Sequence, residues 1–157
     1  MAMIEEGKKA PVFTLPSSEG GEVSLKDLKG KIVVLYFYPK DDTPGCTREA
    51  CEFRDAQGPV RKAGAVVFGV SGDSLESHGK FKTKHKLNFP LLSDQGHEVA
   101  AKFGAYGEKT LYGRKFRGII RSTFIIDGAG VVRKVFPKVK VDGHAEQVLE
   151  AVKALPK

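Results

Sequence analysis

The sequence predicts an α/β protein: a central mixed sheet flanked by helices and preceded by an N-terminal hairpin. Three observations carry this. Residues 32–38 are continuously apolar or aromatic, the pattern of a strand buried on both faces. Strand-like and helix-like stretches then alternate, in the order β-α-β-α-β-α followed by β-β-α. Finally, Ala145, Val148, Leu149, Val152 and Leu155 repeat at helical spacing, so the last segment is an amphipathic helix. The 157 residues suit one domain spanning 1–157, with neither a repeat nor a clear linker.

Val12, Phe13 and Leu15 form a short apolar run that Pro16 breaks. Residues 17–22 are turn-like, and Val23 and Leu25 alternate with polar residues, which completes the hairpin. Pro39 ends the central strand, and residues 40–45 form a polar loop. A helix is expected from near Thr43 to about Lys62, kinked or ended by Pro59. Residues 65–70 are the next buried strand, and 74–85 a surface helix. A short strand follows at 89–92, and Ser93 or Asp94 caps a helix ending near Phe103. Residues 105–118 are polar, aromatic and punctuated by glycine, and are expected as a surface insertion. Strands at 119–126 and 131–136 are joined by the turn Asp127-Gly128-Ala129-Gly130.

Composition removes several classes of function. A hydrophobic fraction of 41% with 29% charged residues fits a globular rather than a disordered chain. No apolar run approaches the roughly 20 residues that cross a bilayer, so no membrane partner is expected. The N-terminus lacks the pattern of a secretory signal, which makes a cytoplasmic location the default expectation; an organellar origin with a removed targeting segment stays compatible with it. Lys and Arg number 26 against 19 Asp and Glu, a net charge of +7. These charges are scattered. In the densest patch, Lys80, Lys82, Lys84 and Lys86 alternate with other residues and spread around a helix, so no nucleic-acid partner is expected. His78, His85, His97 and His144 are dispersed, without a ligand pattern, and read as surface or packing residues.

The two cysteines are five residues apart. They are too few for a four-ligand zinc site and sparse for a secreted disulfide framework. Inert core thiols, one structural bridge and a redox pair all remain. Cys46 follows the buried strand and its loop, in or just before the first turn of a helix, where free N–H groups and the helix dipole favour a thiolate. Along an intact helix Cys51 rises roughly 7.5 Å beyond it and points about 140° away. Disulfides need Cα atoms about 4.4 to 6.8 Å apart. A static bridge is therefore unattractive if this segment is helical, whereas a transient one coupled to local unwinding is possible.

The segment from Pro39 to Cys51 resembles the active site of the peroxiredoxins, whose motif PxxxTxxC is matched by Pro39, Thr43 and Cys46. The string from Asp41 to Cys51 is similar to the peroxiredoxin Q, or bacterioferritin comigratory protein, group, and Arg121-Ser-Thr-Phe-Ile-Ile-Asp127 to the strand that supplies the family's active-site arginine. The similarity spans nearly the whole chain. It implies a thioredoxin-like fold and reduction of hydrogen peroxide and organic hydroperoxides. Cys46 would attack the peroxide and become a sulfenic acid. Cys51 would close a disulfide with it, and thioredoxin or a similar reductant would restore both thiols. No cofactor or metal is implied, and the group suggests a monomer. Thr43 would hold the thiolate and orient the peroxide, or cap the helix. Arg121 would favour the thiolate and stabilise developing negative charge. Pro39 would shape the loop and shield the sulfur. Glu49 could orient Arg121 but reads nearly as well as a solvated residue, so it is not assigned to the site.

A thiol–disulfide oxidoreductase also needs a reactive cysteine in this kind of fold, but usually pairs its cysteines as CxxC. A basic, redox-sensing or DNA-binding protein would show salt-sensitive partner binding without peroxide turnover.

Overall fold

The computed structural model describes residues 3–155. In chain order the strands are β1 (Thr14–Pro16), β2 (Glu22–Ser24), β3 (Ile32–Phe37), β4 (Ala65–Ser71), β5 (Leu91–Ser93), β6 (Tyr106–Leu111), β7 (Arg114–Ile119), β8 (Ser122–Ile126) and β9 (Val132–Phe136). The α-helices are α1 (Pro44–Asp55), α2 (Gln57–Lys62), α3 (Leu75–His85), α4 (Glu98–Phe103) and α5 (His144–Lys153). Among the described residues no helix is long and apolar enough to cross a membrane.

A five-stranded sheet runs in the order β5-β4-β3-β8-β9. β3 pairs parallel with β4 and antiparallel with β8, which makes the sheet mixed. Alternation along β3 feeds two cores. Val33, Leu35 and Phe37 pack with Phe13, Phe103 and Phe124 on one face. Val34, Tyr36 and Tyr38 pack with Phe53, Phe81 and Val148 on the other. This double burial is why residues 32–38 carry no polar alternation. The β1–β2 hairpin forms as expected, and its turn lies against β5: Ser18 N–H donates to the Leu91 carbonyl at 2.9 Å.

Three elements differ from expectation. The helix expected over 43–62 is two helices, parted at Ala56, where φ is −90° and ψ −1°. Pro59 explains the break: a proline ring clashes with the carbonyl four residues back, which is that of Asp55. Pro59 itself sits in the first turn of α2, where its missing N–H is not needed. Residues 105–118, expected as a surface insertion with no strand assigned, form most of a two-stranded ribbon, β6 paired with β7. Its turn residues Tyr112 and Gly113 both have positive φ, +52° and +77°, as two-residue hairpins require. Lastly, the strand expected over 119–126 is interrupted. β7 ends at Ile119 and β8 begins at Ser122, so Ile120 and Arg121 join the ribbon to the main sheet.

Candidate active site

Parallel strands β3 and β4 end on the same side of the sheet, the usual place for chemistry in α/β proteins. There β3 passes through the loop 38–43 into α1. Thr43 occupies the N-cap position with extended backbone (φ −86°, ψ 155°), and Pro44 opens the helix. Cys46 is the third residue of α1 and is 1% exposed. Its sulfur therefore lies at the positive end of the helix, out of bulk water.

The register of the sheet brings Arg121 to it. Ser122 pairs with Phe37, so the residue before Ser122 stands at the end of β3 and over the start of α1. Arg121 Nη2 donates to Cys46 Sγ at 3.2 Å, while Nη1 donates to Glu49 Oε1 at 2.5 Å. A Cβ added at Gly45 would sit 3.3 Å from Nη2, so the glycine leaves room for the guanidinium. The planar fork thus spans a thiol and a carboxylate at once. Arg121 is partly desolvated, which opposes its charge, but Glu49 and Cys46 outweigh this and raise its pKa.

Glu49 is 1% exposed. It was not assigned from the sequence, although its place three residues after Cys46 on one helix was the available signal. Burial pushes its carboxyl up to about 7 against the pull of Arg121. Its Oε2 is buried without a hydrogen-bond partner. A carboxyl raised from about 4.5 to about 7 keeps extra proton in the folded state between those values, so Glu49 makes stability fall as pH rises through that window. Glu49→Gln is expected to remove this slope, so that the variant gains on the wild type between pH 4.5 and 7. Thermal unfolding of both across that range measures it; parallel curves would contradict the assignment.

Pro39 and Thr43 stand towards the two ends of the loop between β3 and α1. The Thr43 hydroxyl donates to the Lys40 carbonyl at 2.8 Å, and it makes no side-chain cap bond to the helix. It braces the loop and leaves its oxygen lone pairs free as acceptors. Pro39 is exposed at the end of β3. Cys51 is half-buried, further along α1, and both thiols are free. The intact helix separates them, as the spacing argument requires. Lys109 was not singled out from the sequence. Its Nζ donates to the Ile119 carbonyl at 2.8 Å, and desolvation and then the nearby Arg121 charge push its pKa down. Asp41, Asp73 and His78 place a ligand atom each within 4.8 Å of one another, but hydrogen bonds account for all three.

A sulfur at a helix N-terminus, beside a fixed cation able to stabilise charge passing to an oxygen leaving group, is placed for nucleophilic chemistry. On a thioredoxin-like sheet, this is the arrangement of a cysteine-based peroxidase. The AhpC/TSA family model matches residues 6–135, and the chain belongs to this family, in its peroxiredoxin Q (bacterioferritin comigratory protein) group. The bcp protein of Coxiella burnetii is 56% identical over 146 residues, 93% of this chain and 97% of its own. Peroxiredoxin Bcp of Bacillus subtilis is 50% identical over 150 residues, 96% of each chain. Among solved structures, a cysteine-to-serine mutant of the Xylella fastidiosa peroxiredoxin Q superposes with a TM-score of 0.92 at 37% identity over 98% of each chain. The bacterioferritin comigratory protein of Xanthomonas campestris gives 0.86 at 43% identity over 90% of each chain. The protein is an enzyme that reduces hydroperoxides by cysteine chemistry, with a thiol reductant closing the cycle.

Proposed function

We propose that Cys46 is the attacking thiol, that Cys51 of the same chain resolves it, and that a thioredoxin-type dithiol is the reductant. The Cys46 thiolate attacks the outer oxygen of the hydroperoxide and the O–O bond breaks. The inner oxygen leaves as alkoxide or hydroxide and takes up a proton, giving an alcohol or water. Cys46 is then a sulfenic acid, and condensation with the Cys51 thiol releases water and forms the disulfide. The external dithiol reduces that disulfide by exchange and is itself oxidised. The bond from Arg121 Nη2 to Cys46 Sγ carries this reading, because it singles out one of the two thiols for charge stabilisation. Organic hydroperoxides join hydrogen peroxide as proposed substrates, supported by the alkyl peroxide reduction activity of the Xanthomonas campestris relative. With both thiols in one helix, catalysis needs no second subunit, which favours a working monomer.

Peroxide consumption coupled to thioredoxin and its reductase tests the donor. Steady turnover is expected, and non-reducing electrophoresis after one equivalent of peroxide should show an oxidised monomer. Turnover with other thiols but not with thioredoxin would overturn the donor; a predominant covalent dimer would overturn the intramolecular pairing.

A further inference from the structure

The loop between β3 and α1 is gripped from one side by α3. Asp41 is buried, and its carboxylate meets three partners. Tyr38 Oη donates to Oδ1 at 2.5 Å, Ser77 Oγ donates to Oδ2 at 2.8 Å, and His78 Nδ1 lies 2.7 Å from Oδ2. His78 is also fully buried, and its Nε2 is 3.0 Å from the Leu92 carbonyl. A carbonyl only accepts, so Nε2 carries hydrogen and faces Leu92, while Nδ1 faces the Asp41 carboxyl. The Asp41 backbone N–H donates to Asp73 Oδ2 at 2.8 Å, an oxygen that also accepts from Ser71 Oγ at 2.6 Å. The next residue, Asp42, has a φ of +61°, unusual for a residue with a side chain. Its carboxylate is held by Lys84 Nζ at 2.7 Å and by His85 Nε2 at 3.0 Å.

Apolar packing of similar volume is often as stabilising as a buried polar pair. It would not hold a left-handed backbone in one shape. A fully satisfied buried polar network does. The loop's shape decides where Thr43 and the first N–H groups of α1 stand around the Cys46 sulfur. We propose that His78, acting through Asp41, is a positioning residue for peroxide attack: it fixes the loop that seats the hydroperoxide against Cys46. The proposal rests on Cys46 being the attacking thiol. The grip comes from α3 and the end of β4, so it does not depend on α1 staying folded.

The test uses the C51S protein, in which Cys46 oxidation stops at the sulfenic acid and is followed by mass spectrometry after mixing with hydrogen peroxide. A glutamine side chain places its nitrogen near the position of Nε2, and an asparagine near that of Nδ1. H78Q keeps the Leu92 bond and loses Asp41; H78N does the reverse. H78Q is expected to slow peroxide attack by roughly tenfold or more, since small misplacements at a reacting centre are costly. Alkylation of Cys46 by iodoacetamide, which needs only an accessible thiolate, should not slow. H78N should recover most of the peroxide rate even if it melts lower. Equal loss in both variants, or peroxide and iodoacetamide rates falling together, would return His78 to a packing role. If H78Q does not fold, S77A removes one Asp41 bond from a half-buried position: slower peroxide attack with unslowed alkylation supports the proposal, and an unchanged peroxide rate overturns it. No sulfenic acid on Cys46 in the C51S parent would instead overturn the attacking-thiol assignment, and the positioning role with it.

Discussion

Arg121→Ala is expected to slow peroxide attack on Cys46 by about two to three orders of magnitude, the loss typical of removing a donor aimed at developing charge. The guanidinium is 3.2 Å from the sulfur before reaction, and negative charge must move from that sulfur to the departing oxygen. A fixed cation in a desolvated site serves both ends of that movement. Arg121→Lys keeps the charge but cannot span Sγ and Glu49 together, so an intermediate loss is expected. Arg121→Ala also strips Glu49 of its hydrogen-bond partner. Because burial already raises that carboxyl to about 7, it takes up a proton rather than stay a bare buried anion. The loss of stability should then stay at about 1–3 kcal/mol. Single-turnover kinetics and thermal unfolding on the same samples separate the two effects. An unchanged rate of attack would reduce Arg121 to a structural partner of Glu49.

Oxidation is expected to unwind the start of α1. Cys46 and Cys51 lie on one continuous helix, too far apart and too differently directed for a disulfide. Bond formation must therefore break backbone hydrogen bonds in the segment between them. Thr43 and Pro44 mark the upper limit of unwinding, and the break at Ala56 marks the lower one, so α2 need not melt. Glu52 Oε1 accepts from the Gly143 N–H at 3.2 Å, and Arg48 pairs with Asp142 at 3.2 Å, so the entry to α5 should loosen with α1. Amide exchange over 45–53 is expected to rise by about two orders of magnitude or more in the disulfide form, as local opening replaces helical protection. β3, in the middle of the sheet, should keep its protection. Equal protection of 45–53 in both redox forms would contradict the unwinding.

The central strand was legible because both its faces are buried; the placement of Cys46 after that strand and at a helix start left a reactive and an inert thiol equally open, and the resemblance of Pro39, Thr43 and Cys46 to PxxxTxxC decided between them. Arg121 was legible only through family resemblance: its sequence neighbourhood is that of an ordinary strand charge, and its meeting with Cys46 depends on the register of β8 against β3. The β6–β7 ribbon was hidden because its polar, aromatic and glycine residues follow no strict alternation, and Arg114 to Arg117 of β7 are all exposed. Glu49 looked solvated because a carboxylate one helical turn from a cysteine is usually on a surface. The Asp41–His78 contact joins residues 37 positions apart, which no local pattern reports.

The central claim is that Cys46 meets the peroxide and Cys51 only resolves it. Mass spectrometry of the C51S and C46S variants after one equivalent of hydrogen peroxide tests this most directly. C51S is predicted to consume about one equivalent and to carry one added oxygen on Cys46, trapped as a dimedone adduct, whereas C46S consumes none and remains unmodified. A sulfenic acid on Cys51 in C46S, with C51S inert, would contradict it.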